Sequence, residues 1–341
     1  MYKQKKRQGV IILVIVVLII SFIFAAVQNR NAELQVYTEA DHVESGKASG
    51  DGEAEKAVNL DYYTDEAYSY TLGVPEGWTK VNQDDGMLFV HNASKSSIQV
   101  QVMDYEPSIC NATAESLSAV VAGEGKTFMG FQWVSNTHYE LMYQDLKDIT
   151  YDYIEEVFFD REHIIKITCV FDDANYAKLK DAYEASLNSF SWEQSSPIPD
   201  GYRLCYNQDA GFETGIPDTW TVSLTDTGMA AIDSGQAISM AVYMVPTLGE
   251  LSQISSTEMS SFLGAGRDGF IMSSYEHTDD YAEVHTSYVA DGVRYQNPFY
   301  LFQGNGNWYV VSFEYEEGMF QDDSIIDTCI SLFRYFPNPG T

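Results

Sequence analysis

The sequence predicts an α+β protein: an N-terminal transmembrane helix, then two tandem domains, each a mainly antiparallel sheet covered by helices. Three observations predict it. Val10–Val27 is an uncharged apolar run. Tyr70-Thr-Leu-Gly-Val-Pro-Glu-Gly-Trp78 returns 142 residues later as Phe212-Glu-Thr-Gly-Ile-Pro-Asp-Thr-Trp220, with aromatic, Gly, β-branched residue, Pro, acid and Trp in the same order. Around these strings, segments of period-two hydrophobicity alternate with stretches of helical period.

Lys3, Lys5, Lys6 and Arg7 precede the apolar run, inside a basic segment 1–9. As a helix the run spans roughly 27 Å, enough to cross a bilayer core. Basic residues stay on the cytoplasmic side, so the expected topology is single-pass in the cell membrane, with the C-terminal bulk extracytoplasmic. A cleaved signal peptide is the rival reading. It wants small residues at −3 and −1 of the cut, and Phe24-Ala-Ala26 would put Phe24 at −3.

Residues 28–60 read as a disordered acidic linker. Glu39–Glu55 is polar, acidic and rich in Gly and Ser, with no apolar period to drive its ordering. Domain 1 is expected over 61–193 and domain 2 over 202–336, each of single-core size. Pro197-Ile-Pro-Asp-Gly201 breaks the chain in the connector 194–201, and 337–341 is a tail. So short a connector implies that the two domains touch or move little.

Tyr68–Val74 alternates as a strand and Pro75 ends it. Met87–His91 and Ile98–Met103 are the next strands. Met229–Asp233 and Ile238–Met244 take their places in the second copy, with Ile98, Val100 and Val102 set against Ile238, Met240 and Val242. A helix follows at Ala114–Ala122, matched by Thr257–Leu263. Strands are then expected near Phe131–His138, Tyr151–Phe159 and His163–Phe171. In the last, Ile165, Ile167, Cys169 and Phe171 share one face, as do Tyr309, Val311, Phe313 and Tyr315. Each copy closes on an amphipathic helix, marked by Tyr176, Leu179, Tyr183, Leu187 and Phe190, and by Ile325, Ile326, Cys329, Ile330 and Phe333. The predicted order is βββ-α-βββ-α, twice.

This order, with its strand–Pro–acid–x–Trp opening and late helix, resembles the PsbP/MOG-like family across residues 61–336. The resemblance implies an α/β/α sandwich for each copy. Domains of this type serve as accessory or interaction modules in unrelated settings, so the resemblance implies a fold and no particular activity.

Motifs that suggest chemistry have structural counterparts in the other copy. Ala122-Gly-Glu-Gly-Lys-Thr127 looks like the end of a phosphate-binding loop, but Val120 stands where Gly is needed and the stretch follows a helix. Gly264-Ala-Gly-Arg267 holds the equivalent place, so both read as helix C-caps. Asp172-Asp173 and Glu316-Glu317 sit before the closing helices and read as helix-start acids. His277, Asp279, Asp280, Glu283 and His285 form the densest metal-like cluster, without a counterpart in the first copy. It reads as a strand-to-strand turn and is the first place to look for a specialised site. Asp233-Ser-Gly235 has no placeable catalytic partners. Cys110, Cys169, Cys205 and Cys329 show no CxxC, and buried thiols compete with disulfides as their fate. Trp78 and Trp220 are expected to pack beneath the turn after each Pro. No residue is assigned a catalytic, cofactor-binding or metal role, and no cofactor is expected.

The net charge is −31, while residues 1–30 hold basic residues and no acid. An acidic exported surface repels nucleic acid and anionic headgroups. The expected function is a non-catalytic interaction or binding module with a protein or cell-envelope partner. The alternatives are an extracytoplasmic hydrolase or metal-dependent enzyme with an inter-domain site, and a carbohydrate or cell-wall binding protein using some of the 24 Tyr, 18 Phe and 5 Trp.

Overall fold

The computed structural model describes residues 58–336, except 84–85, 95, 146–150, 234, 236 and 321. The expected basic segment, transmembrane helix, nearly all of the acidic linker and the tail lie outside the described residues. Among the described residues no helix is long and apolar enough to cross a membrane.

The protein is α+β, and every described strand pairing is antiparallel. The first copy contains β1 (Leu60–Asp65), β2 (Tyr70–Pro75), β3 (Trp78–Gln83), β4 (Gly86–His91), β5 (Ser97–Asp104), α1 (Ala114–Gly123), β6 (Thr127–Ser135), β7 (His138–Asp145), β8 (Tyr151–Phe159), β9 (His163–Asp172), α2 (Asp173–Asn188) and β10 (Ser191–Trp192). The second contains β11 (Tyr202–Asn207), β12 (Phe212–Pro217), β13 (Thr221–Thr225), β14 (Gly228–Ile232), β15 (Ile238–Pro246), α3 (Ser256–Leu263), β16 (Ile271–His277), β17 (Tyr281–Ala290), β18 (Val293–Gln296), β19 (Phe299–Gly304), β20 (Asn307–Glu316), α4 (Asp323–Ser331) and β21 (Arg334–Tyr335).

The large sheets run β3-β4-β5-β9-β8-β7-β6 and β13-β14-β15-β20-β18-β17-β16, with β19 bridging β17 and β20. Each copy adds a three-stranded sheet, β1-β2-β10 or β11-β12-β21. One apolar cluster fills the α2 side of the first large sheet, around Phe89, Ile98, Ile167 and Phe171. Another fills the α1 side, around Val121, Leu141 and Phe159. The second copy repeats this, with Met240, Val311 and Phe313 under α4, and Leu263, Val284 and Trp308 under α3.

Strand number departs from expectation. Leu60, placed in the linker, opens β1 and pairs with Pro75. The sequence predicts no strand between Pro75 and Met87, where β3 forms, because Trp78–Gln83 is an edge with weak alternation. The expected strand Phe131–His138 joins the end of β6 to the start of β7 across a turn at Asn136-Thr137.

The recurring string is a set of fold residues. Tyr70, Leu72 and Val74, like Phe212 and Ile216, are buried, as are Trp78 and Trp220. Trp78 meets Tyr183 of α2 edge-on at 5.6 Å. The repeated glycine answers a close approach: the backbone N–H of Gly73 donates to Ser189 Oγ at 2.7 Å, just past α2. A Cβ on Gly73 would fall 2.7 Å from that oxygen, and one on Gly215 would overlap Leu332.

Ladder register corrects one pairing of the copies. Ile98 faces Cys169, and Met240 faces Phe313. Gly86 pairs with Gln101 as Gly228 pairs with Tyr243. Ile98 therefore corresponds to Met240, two residues beyond the expected Ile238. A shift of two preserves the alternation of a strand, so hydrophobic pattern alone does not register it.

The copies meet around Glu213, whose side chain is fully buried. Arg334 Nε donates to Glu213 Oε1 at 2.8 Å, across the β12–β21 ladder. From the first copy, the Tyr105 hydroxyl donates to Glu213 Oε2 at 2.6 Å, and Arg161 Nε lies 3.7 Å from Oε1. Arg161 also donates to the carbonyl of Leu332 at 3.0 Å, while Arg334 donates to the Arg161 carbonyl at 2.9 Å. The Arg334 guanidinium lies over the Tyr105 ring, 4.7 Å from its centroid. Asp160, next to Arg161, accepts from Glu162 N and His163 N at 2.7 Å, and from Ser195 N at 2.9 Å and Ser196 N at 3.1 Å. One turn thus fastens both the connector and the second copy.

Candidate functional site

Tyr139, Leu141 and Tyr143 on β7 are buried toward α1, so His138, Glu140 and Met142 project toward α2. On β8, Glu156 stands directly opposite Glu140, and Phe158 opposite His138. His138 Nε2 lies 2.5 Å from Glu156 Oε2, and its ring stacks on Phe158 at 3.9 Å. On β6, Gln132 Nε2 donates to Glu140 Oε1 at 3.2 Å. Burial, and then the neighbouring Glu156 carboxylate, raise the Glu140 carboxyl above its ordinary range. These acids floor a groove of about 300 Å³ beneath α2, walled by Met142, Ile154, Tyr183 and Leu187, with Lys180 and Glu184 also lining it.

Glu156 is buried and Glu140 half-buried, and burial together with the facing acid favours the protonated form of Glu140. The arrangement can therefore store and release a proton. The adjacent Glu155 faces the other way and has separate partners: the Tyr143 hydroxyl donates to it at 2.9 Å and Lys166 Nζ lies 3.5 Å away.

Strand register gives the counterparts in the second copy. Tyr281 takes the place of His138, Glu283 that of Glu140, and Tyr300 that of Glu156. The Tyr281 hydroxyl donates to Glu283 at 3.4 Å. Burial, and then Glu283, raise the Tyr300 hydroxyl. The second copy thus has one carboxylate with two phenols where the first has an acid pair with a histidine.

Sequence reasoning did not single out His138, Glu140 or Glu156. The signal was there: Glu155-Glu156 interrupts an apolar strand, and His138-x-Glu140 puts two polar groups on one face of its neighbour. Their meeting depends on the β7–β8 register, which single-strand patterns do not contain.

The residues that were singled out are dispersed. In the His277–His285 stretch, Glu283 Oε1 meets His285 Nε2 at 2.7 Å, both well exposed. His277 lies against the Tyr275 ring at 4.8 Å. Asp279 and Asp280 edge a separate open depression with Glu250 and Gln303. Among the described residues no group of three or more His, Cys, Asp or Glu is placed to hold a metal ion.

The loop-like stretch 122–127 is a turn between α1 and β6. Lys126 N donates to Val121 O at 3.1 Å, and Lys126 Nζ sits over the Tyr143 and Tyr153 rings at 4.6 and 4.8 Å. Arg267 likewise lies over Tyr288 at 4.9 Å. Glu316-Glu317 does not start α4. Asp322 caps it, accepting from Ser324 N at 3.2 Å, and Glu317 instead accepts from Gln296 at 3.1 Å. The expectation failed because a turn separates β20 from the helix. The side chains of Asp172 and Asp173 and all of Ser234 lie outside the described residues. All four cysteines are free thiols, with Cys169, Cys205 and Cys329 buried.

No protein-family model and no curated protein matches the chain. Structural neighbours include the solution structure of cyanobacterial PsbP (CyanoP) from Synechocystis sp. PCC 6803, 14% identical, covering 42% of this chain and 99% of that one, with a TM-score of 0.34. The apo immunity protein TplEi of the T6SS from Pseudomonas aeruginosa is 11% identical, covering 82% of this chain and 97% of that one at 0.25. A chain of the Tle4-Tli4 complex is 9% identical, covering 82% and 98% at 0.23. At these TM-scores the likenesses decide neither fold family nor function.

Proposed function

We propose that this chain is a single-pass, membrane-anchored extracytoplasmic protein, whose tandem PsbP/MOG-like α/β/α sandwich domains act as a non-catalytic interaction module. The observation that carries this reading is the use of the charged residues the copies do not share. Glu213 and Arg334 stand where the first copy has Thr71 and Ser191. With Tyr105 and Arg161 they bind one copy to the other. Divergence between the copies has thus gone into joining the two sandwiches. The shared residues, Tyr70, Trp78, Phe212 and Trp220 among them, are spent in the cores. The partner is a protein or envelope component that meets an acidic surface.

Two experiments test the reading. Protease added to intact, wall-stripped cells should remove the folded part and leave a short membrane-bound remnant. Full protection contradicts the orientation. The full chain, cross-linked in its native membrane with wall fragments retained, should recover one stoichiometric partner. Recovery of none, together with turnover of a metabolite or wall-fragment library by the purified chain, contradicts the module.

A further inference from the structure

We propose that the Glu140–Glu156 pair is a pH-sensitive latch of the first copy, which closes β7 onto β8 with one shared proton and loosens that pairing, and the groove beneath α2, when the proton leaves. The geometry carries it. The two acids occupy directly opposed positions of an antiparallel pair, where like charges destabilise the ladder. Glu156 is buried and Glu140 half-buried beneath α2, so water screens their repulsion only in part.

The charged and titratable groups facing the pair are few. On β7, His138 binds Glu156. From α2, Lys180 and Glu184 line the same groove, 3.4 Å from each other. On β9, the buried Cys169 thiol lies within the electrostatic reach of Glu156. Gln132 on β6 is neutral. Lys166 and Glu155 pair on the opposite face of the sheet. On the pair itself, Glu156 meets the His138 ring and Glu140 accepts from the amide of Gln132.

The sign follows from the direction of the Glu140 displacement. A carboxyl raised in the folded protein contributes stability that is full below its unfolded pKa. That stability is lost as pH rises through the folded value. The latch thus holds in acid and slackens toward neutrality. The second copy, with Tyr300 in place of Glu156, lacks the opposed acids and serves as an internal control.

Hydrogen exchange on the full-length protein in detergent, from pH 5 to 9 and corrected for intrinsic rates, tests the latch. Protection of residues 138–145 and 151–159 should fall, as pH rises, relative to residues 281–304. Glu156→Gln should abolish that relative fall. If the variant does not fold, carboxyl NMR of the wild type decides instead. One glutamate signal from the pair should titrate well above the ordinary range. Parallel protection in the two copies overturns the proposal, as does a relative fall that persists in Glu156→Gln, or titration of both acids near the usual 4.3.

Discussion

The Tyr105 hydroxyl donates a 2.6 Å hydrogen bond to Glu213 Oε2, tying the first copy to a carboxylate that solvent does not reach. Burial, and then that carboxylate, push the Tyr105 hydroxyl far up from its ordinary value, so it remains a donor. Two guanidinium groups share the same carboxylate. Removing an ion from such a cluster leaves uncompensated buried charge, and that loss costs more than the cluster contributes in net stability.

Tyr105→Phe is expected to cost roughly 1.5–3 kcal/mol, the range for a hydrogen bond to a charged group. Glu213→Ala strands Arg161 and Arg334 and should cost roughly 3–5 kcal/mol. Urea denaturation of both variants measures the order. An equal or smaller loss in Glu213→Ala contradicts the arrangement.

Asp160 predicts an acid limb. Burial pushes its carboxyl up, but hydrogen bonds from His163 N, Glu162 N, Ser196 N and the Ser195 hydroxyl outweigh that and hold it below the usual range. Its contribution is present above the unfolded value near 3.9 and is lost as pH falls through the folded one. Asp160→Asn should flatten the decline in stability below about pH 4. Denaturation midpoints from pH 2.5 to 6 check this.

The repeated glycine predicts a steric effect. Gly215→Ala drives a methyl into Leu332, and Gly73→Ala drives one onto Ser189. Overpacking of this kind costs roughly 1–3 kcal/mol. Leu332→Ala combined with Gly215→Ala should recover part of the loss. Thermal melts of the two singles and the double test the coupling.

Burial raises the Cys205 thiol to about 11 and the Cys329 thiol to about 12. Thiolate is the reacting form, so a thiol reagent at neutral pH should label these two, with Cys169, only on unfolding. Burial, and then Glu213, push the Cys110 thiol up further still, so it too should label slowly at neutral pH, with its partial exposure alone setting it ahead of the other three. Mass spectrometry of the labelled chain reads the order.

The sequence carried the parts of the fold that one strand or helix can encode alone. The period-two faces of β9 and β20, and the 142-residue return of Gly-x-Pro-acid-x-Trp, led to two copies with cores on their closing helices. It did not carry relations between strands. The two-residue error between Ile98 and Met240 follows from the same blindness as the overlooked Glu140–Glu156 pair. Alternation is unchanged by a shift of two, and opposition across a ladder exists only once register is set. The His277–His285 stretch, read as a strand-to-strand turn, does turn between β16 and β17; Glu283 and His285 meet on one face of β17, while Asp279 and Asp280 edge a separate depression. Glu213 stands in the string Phe-Glu-Thr-Gly where the first copy has Thr71, and only the fold makes it a buried ion.

The central claim is that the charged residues private to each copy make one body of two. Equilibrium unfolding of the full chain, followed separately at Trp192 in the first copy and Trp308 in the second, tests it most directly. The wild type should show one coincident transition at both probes, and Glu213→Ala should separate the two midpoints. Coincident and unshifted transitions in Glu213→Ala would contradict the account.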